Sequence, residues 1–233
     1  MFKLRKVALL LGGVVVCGVF GTGTASAVSP IYNWTGFYVG ANAGMSGGQF
    51  HQTYAYSDST FSYDAARATG FSGGVQAGVN FQPGAGSLVF GAEADFQGST
   101  LMGTYADYGA DLRFGTNVDW WGTARARIGL PLGGMLPFVT GGFAYGHVTS
   151  FINGPTYDPP VNTAWSTFSP GWTVGGGVED ALKQNLTVKL EYLYVDLGSA
   201  AHDDPQVDAV FPAIITTKVS FSTLRVGLNW KLN

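Results

Sequence analysis

Seven of eight strand-like stretches of the chain alternate large apolar side chains with glycine, small polar and charged ones, position by position. A period of two is the mark of a β-strand with two unlike faces. From Gly36 to Met45 one parity reads Phe37, Val39, Ala41, Ala43, Met45, and the other Gly36, Tyr38, Gly40, Asn42, Gly44. Phe71, Val75, Ala77, Val79 and Phe81 stand against Ser72, Gly74, Gln76, Gly78 and Asn80, and Phe90, Ala92, Ala94 and Phe96 against Gly91, Glu93, Asp95 and Gln97. Val118, Trp120, Ala124, Ala126, Ile128 and Leu130 oppose Asn117, Asp119, Thr123, Arg125 and Arg127. Leu136 to Thr149 is apolar on both parities. Trp172, Val174 and Val178 then oppose Thr173, Gly175, Gly177 and Glu179; Leu190, Tyr192 and Tyr194 oppose Lys189 and Glu191; Leu224, Val226, Leu228 and Trp230 oppose Arg225, Gly227, Asn229 and Lys231.

The connections narrow the fold further. Pro83–Ser87, Pro131–Gly134 and the link Ala181–Asn185 are short and carry turn chemistry. Between them lie four long polar segments, 47–68, 99–115, 150–168 and 198–216. Alternating short and long connections, an even strand number and both termini on the short-turn side describe a transmembrane β-barrel. The expected fold is all-β: an eight-stranded antiparallel up-and-down barrel with short periplasmic turns and four long extracellular loops.

Composition separates this from a secreted soluble barrel of lipocalin type. Only 12% of residues are charged, near half the usual share, while 46% are hydrophobic and 35 are glycine. A barrel in lipid puts the apolar parity outside and the polar parity in a narrow lumen, where glycine makes room and lets strands bend. No stretch after the first 27 residues is apolar for the length of a spanning helix.

That first segment reads as a targeting signal. Lys3, Arg5 and Lys6 precede an apolar run from Val7 to Gly21, and Thr24-Ala25-Ser26-Ala27 places small residues at a cleavage site. The run is too short for an ordinary membrane anchor. The expected organisation is a signal peptide, 1–27, and a barrel, 28–233. Cleavage removes the single cysteine, Cys17, and three of the 12 basic residues, so 9 basic residues face 15 acidic ones and the net charge becomes -6. Disulfides, thiolate metal sites and cysteine nucleophiles are then excluded, and an acidic chain without a basic block does not bind nucleic acid.

Trp34-Thr35-Gly36-Phe37-Tyr38-Val39-Gly40-Ala41-Asn42-Ala43-Gly44, Pro137–Gly142, Gly171–Glu179, Leu190–Gly198 and Leu224–Trp230 resemble, in order along the chain, an α-proteobacterial outer-membrane β-barrel family. That family, of the rhizobial, brucella and bartonella type, is similar in architecture to the OmpA barrel. The resemblance implies a Gram-negative outer membrane, insertion by the barrel-assembly machinery, contact with outer-membrane lipid and lipopolysaccharide, and roles in envelope integrity or surface contact. Some relatives are described as haem-binding or antigenic. The chain departs from the pattern at its end, Trp230-Lys231-Leu232-Asn233, where such barrels commonly carry a terminal aromatic.

Charges of both signs gather on the inner parity: Glu93, Asp95, Asp119, Arg125, Arg127, Glu179, Lys189, Glu191, Arg225 and Lys231. Ionised groups in a narrow interior must be paired. Glu93 and Asp95 are expected to face Arg125 and Arg127 across adjacent strands, and Glu191 to face Arg225. They form either a plug or an ion-selective constriction, and eight strands leave room for little beyond side chains. Trp34, Trp120, Trp172, Tyr192, Tyr194 and Trp230, with Tyr38 and Trp121, are expected in aromatic girdles at the lipid–water boundaries.

Catalytic and metal motifs are weak. Gly70-Phe71-Ser72-Gly73-Gly74 fits G-x-S-x-G by letter, but strand alternation runs straight through it where a nucleophile elbow needs a turn and helix. Some outer-membrane barrels are lipid deacylases with His and Ser on the lipid-facing wall, and His147-Val148-Thr149 lacks the serine. His51, His147 and His202 have no zinc-ligand spacing. No cofactor and no enzymatic activity are expected.

The long segments carry Asp58, Asp64, Asp107, Asp111, Asp158, Asp203, Asp204 and Asp208 against Arg67 and Arg113. Beside anionic lipopolysaccharide such loops are repelled unless divalent cations bridge them. The first also carries Phe50, Tyr54, Tyr56, Phe61 and Tyr63, contact area for a partner or a flat ligand such as haem, or packing for the barrel mouth. The leading expectation is a structural, surface-contact barrel contributing to envelope integrity. The alternatives are a narrow porin-like channel for small solutes, and binding of a ligand or host surface through segments 47–68 and 198–216.

Overall fold

A computed structural model of the chain describes residues 32–55, 60–63, 67–107, 112–156, 160–202 and 214–232. The proposed signal, 1–27, lies outside them, as do Tyr56, Asp58, Asp64, Asp111, Asp158, Asp203, Asp204 and Asp208. The strands are β1 (Gly36–Ala55), β2 (Thr60–Tyr63), β3 (Arg67–Phe81), β4 (Val89–Asp107), β5 (Leu112–Gly129), β6 (Met135–Gly154), β7 (Val161–Lys183), β8 (Leu186–His202) and β9 (Ile214–Leu232). Every neighbouring pair is antiparallel, and β1 pairs with β9 from Phe37↔Leu232 to Ala55↔Ile214. That pairing closes eight strands into a barrel, as backbone groups in hydrocarbon require. The ninth strand, β2, is a short hairpin arm folded onto the upper end of β1, with Gln52 opposite Tyr63.

The expected number and order of barrel strands hold, but the described parts of the long segments are largely strand rather than loop. Asp107 pairs with Leu112, Gly154 with Val161 and His202 with Ile215. Continued ladder pairing carries the barrel wall well past the apolar band. Polar composition hides this in the sequence, because strands standing in water on both faces lose their apolar parity.

Faces sort as alternation requires. Phe37, Val39, Met45, Phe71, Val75, Phe96, Ile128, Val139, Trp172, Val174, Leu190, Val226 and Leu228 point outward and are exposed, while Asn42, Gln76, Glu93, Arg125, Thr173, Glu191 and Arg225 are buried inside. Glycine tightens one corner. A Cβ on Gly171, Gly175 or Gly177 would collide with the carbonyl of Asp196, Tyr192 or Leu190 on β8, so these three inner positions of β7 accept no side chain. Three register irregularities lie towards the loop end, between Gly98 and Leu101, Val118 and Trp120, and Asp196 and Ser199, and a fourth lies between Ala181 and Lys183 at the β7–β8 turn. At the break between Asp196 and Ser199, Gly198 takes φ +70, which glycine adopts without steric cost.

Candidate functional site: the filled lumen

The lumen is stacked in three storeys. At the turn end Trp34, Val89 and Leu136 pack together, with Tyr32 and Ala181 against them. At the loop end Phe50, Ala68, Leu101, Val118, Trp121, Ala144, Val148, Leu193, Val195, Leu197, Val219 and Phe221 form a larger apolar layer. The ionised network lies between them.

Arg125 sits at its centre. It donates to Glu93, to Glu191 at 2.7 Å and to Asp95 at 3.1 Å, with its side chain fully enclosed. Arg225 donates to Asp95 and Glu191, each at 2.7 Å. Lys189 Nζ donates to both oxygens of Glu93, at 2.7 and 2.8 Å. Arg127 donates to Glu179 at 2.7 Å and lies over the Phe138 ring at 4.2 Å. The register that achieves this is direct: Glu93 stands opposite Arg125, and Glu191 opposite Arg225.

Neutral polar groups extend the network round the barrel. Tyr38 donates to Glu93 at 2.7 Å and accepts from Arg127 at 3.2 Å. Thr123 donates to Asp95 at 2.8 Å, and Thr187 donates to Glu179. Asn42 donates to Gln76, Gln76 to Asn229, and Asn229 to Glu179 at 2.8 Å. That last chain crosses the closing seam, from β1 through β3 and β9 to β7. Tyr38, Asn42, Gln76 and Asn229 all stand on the inner parity, but a neutral side chain there has no charge to mark it as part of the network.

Four expectations need correcting. Asp119 is not in the lumen: it is the extra residue of the bulge between Val118 and Trp120, and the bulge turns it onto the outer wall. There its carboxylate accepts from Thr149 at 2.6 Å and meets His147 Nδ1 at 3.0 Å, with the side chains 43% and 34% exposed for Asp119 and His147. The same bulge sends Val118 inward, against its apolar parity. Lys231 stays outside the network, at the lower mouth, donating to the Asn33 carbonyl at 2.6 Å with Nζ 5.6 Å from the Tyr32 ring. Trp34, Tyr38 and Trp121 are buried within the barrel and belong to no girdle.

Trp172, Tyr192 and Trp230 do face outward and are exposed. Trp120 faces outward beside Phe96 (5.5 Å), Phe168 (6.2 Å) and Tyr145 (6.3 Å), stacked on His147 at 5.6 Å. Tyr194 packs against Trp172 at 5.4 Å.

With Asp119 and Lys231 set aside, four carboxylates (Glu93, Asp95, Glu179, Glu191) meet four cations (Arg125, Arg127, Lys189, Arg225), all of them buried. Among the described residues the lumen therefore carries no excess of either sign. Below it, a cavity of about 10 Å³ lined by Tyr32, Trp34, Tyr38 and Glu179 has room for about one water. Burial first, and then the Glu179 carboxylate, raises the Tyr32 phenol above its ordinary pKa, so it stays neutral there. Phe50, the one first-segment aromatic whose side chain is described, packs into the upper apolar layer. Ser72 points inward from the middle of β3, with no strand–turn–helix around it. Among the described residues no three His, Cys, Asp or Glu side chains come together to hold a metal ion.

Residues 14–231 match the model of the outer membrane protein beta-barrel domain. The chain belongs to that family. It is 40% identical over 218 residues to the 31 kDa outer-membrane immunogenic protein of Brucella melitensis, covering 89% of this chain and 88% of the relative. It is 31% identical to a 22 kDa outer membrane protein of Rhizobium leguminosarum, covering 76% and 70%. Among solved structures, the outer membrane protein OprG from Pseudomonas aeruginosa superposes with TM-score 0.55 at 11% identity, over 86% of this chain and 99% of that one, a likeness of fold. This family barrel resides in the outer membrane, its apolar wall in lipid and its short turns on the periplasmic side.

Proposed function

We propose that the chain is a sealed, non-enzymatic outer-membrane barrel that contributes to envelope integrity and presents its upper rim for surface contact. The observation that carries this is the three-storey lumen, a charge-balanced network closed above and below by apolar side chains. A conducting pore needs a continuous wet path, and ion selection uses rings of one sign. Here the ions that would pass meet Trp121, Leu101 and Phe221 before any charge, and Trp34 and Leu136 after it. Eight strands give a bore that side chains fill.

The wall serves the same end. Opposed charges and amides bind β1, β3, β4, β5, β7, β8 and β9 to one another through the interior, making a rigid peg in the bilayer. Planar-bilayer recording of the refolded chain tests the proposal. The expected trace shows no stable open level, and steady conductance of open-porin size would overturn the sealed reading. A deletion strain is expected to gain detergent sensitivity with solute uptake unchanged.

A further inference from the structure

Outward residues on β3, β1, β9 and β8 form continuous rows across the wall, because the register places them side by side. Phe71, Met45 and Leu224 make the last apolar row, with Tyr192 beside them. Thr69, Gly47, Ser222 and Tyr194 come next, then Arg67, Gln49 and Ser220, then His51 opposite Lys218. From Phe37 to Met45 the apolar face of β1 climbs eight residues. At about 3.3 Å per residue and a tilt near 40°, that is roughly 20 Å of the ~25 Å apolar band such barrels present. On β1, Gln49 of the Arg67 row stands about 10 Å above Met45 by the same geometry, at the level of the outer-leaflet headgroups.

A groove of about 450 Å³ runs through these rows, lined by Gly47, Gln49, His51, Arg67, Ser220 and Ser222 among others. It exists because Gly47 has no side chain between Thr69 and Ser222. Tyr192 donates to Ser222 Oγ at 2.7 Å from just below the groove. Arg67 and the 52% exposed Lys218 bring positive charge to it. Among the described residues the acidic group facing these rows is Asp196, one of whose oxygens accepts from the Gly198 N–H at 2.8 Å while the other lies 3.7 Å from Lys218. The opposite wall differs at the corresponding boundary, where Asp119 and the Trp120 cluster stand.

We propose that this groove binds the phosphate of an outer-leaflet glycolipid headgroup. Arg67 and Lys218 neutralise the phosphate, the Thr69, Ser220 and Ser222 hydroxyls and the Gln49 amide supply further donors, and the acyl chains lie down the wall over Phe71, Met45 and Leu224. Arginine forks onto phosphate oxygens while lysine acts as a point charge. The site depends on the barrel's place in the outer membrane and is independent of whether the lumen conducts.

The test uses the full chain refolded in detergent micelles, titrated with bisphosphorylated lipid A, with the same lipid after enzymatic dephosphorylation, and with inorganic phosphate, binding being read by native mass spectrometry. Folding of each variant is checked by heat-modifiable gel mobility. Bisphosphorylated lipid A is expected to bind at least about tenfold more tightly than the dephosphorylated lipid, since two charge-assisted contacts are at stake. Arg67→Gln with Lys218→Gln should remove most of that preference, Lys218→Gln alone about threefold to fivefold, and Asp119→Asn none. Equal binding of the two lipids, or an unaltered preference in a folded Lys218→Gln or double variant, overturns the site. Inorganic phosphate binding as tightly as lipid A would assign the groove to a free anion and overturn the lipid reading.

Discussion

The ions within the barrel and the Asp119–His147 contact on its outer wall are polar contacts in opposite surroundings. Arg125 is fully enclosed and touches three carboxylates. Asp119, on the same strand, is 43% exposed and touches one histidine and one threonine. An enclosed charge has no water to fall back on, so its partners must all be present. A charge at the wall's outer boundary is solvated whether its partner is there or not. The network therefore locks the barrel's cross-section, whereas the outer pair decorates it.

Removing Arg125 should break this contrast most strongly. Arg125→Met leaves Glu93, Asp95 and Glu191 short of one cation, and truncating one side of a buried pair costs about 3–5 kcal/mol. Unfolding of the micelle-embedded barrel in urea, followed by tryptophan fluorescence, reads the difference. Pairing Glu191→Gln with Arg225→Met should cost less than the two single changes added together, because these groups share one network. A loss below about 1 kcal/mol for Arg125→Met would place the network among surface-like pairs.

The apolar storey comes next. Leu193→Ala hollows the upper layer beside Trp121 and Val195, where a leucine truncation costs about 2–5 kcal/mol. The same stability assay checks it, and bilayer recording sharpens it. The charge layer and the lower apolar layer remain intact in this variant, so the lumen is expected to stay closed. Stable conductance in Leu193→Ala would show that the upper layer alone holds the seal.

Alternation made the barrel, its strand order and the inner face of β4, β7, β8 and β9 legible in the residues themselves. Glu93 facing Arg125 and Glu191 facing Arg225 follow from parity and neighbour order. Parity fails wherever a bulge intervenes, and a one-residue insertion leaves no mark in composition, which is why Asp119 and Val118 exchange sides. Trp34, Tyr38 and Trp121 escaped because aromatic type suggests an interface while position decides the side. Tyr38 shares its parity with Gly36, Gly40 and Asn42, so the inward signal was present. The length of the wall was hidden, since ladders above the membrane need no apolar face.

Asp119 carries the smallest and sharpest expectation. As the single extra residue of its bulge, it stands between Val118, which pairs with Val148, and Trp120, which pairs with His147. Asp119→Asn keeps the strand path and removes one exposed charge, so its cost should lie between about 0 and 1 kcal/mol and shrink as salt is raised. Deleting Asp119 probes the same point from the backbone. Val118 and Trp120 become consecutive, and ordinary alternation already puts one inward and the other outward. Pairing with β6 then continues without a break, and the strain falls on Ser99 and Thr100 of β4, which stand between the partners of Trp120 and Val118. The deletion variant is expected to reach the folded, heat-modifiable form. Deleting Ala124, in regular ladder between Thr123 and Arg125, shifts register by one and would turn either Arg125 and Arg127 or Thr123 and Trp121 towards lipid, so that variant should fail to fold. If both deletions behave alike, the bulge does not set which residues face the lumen.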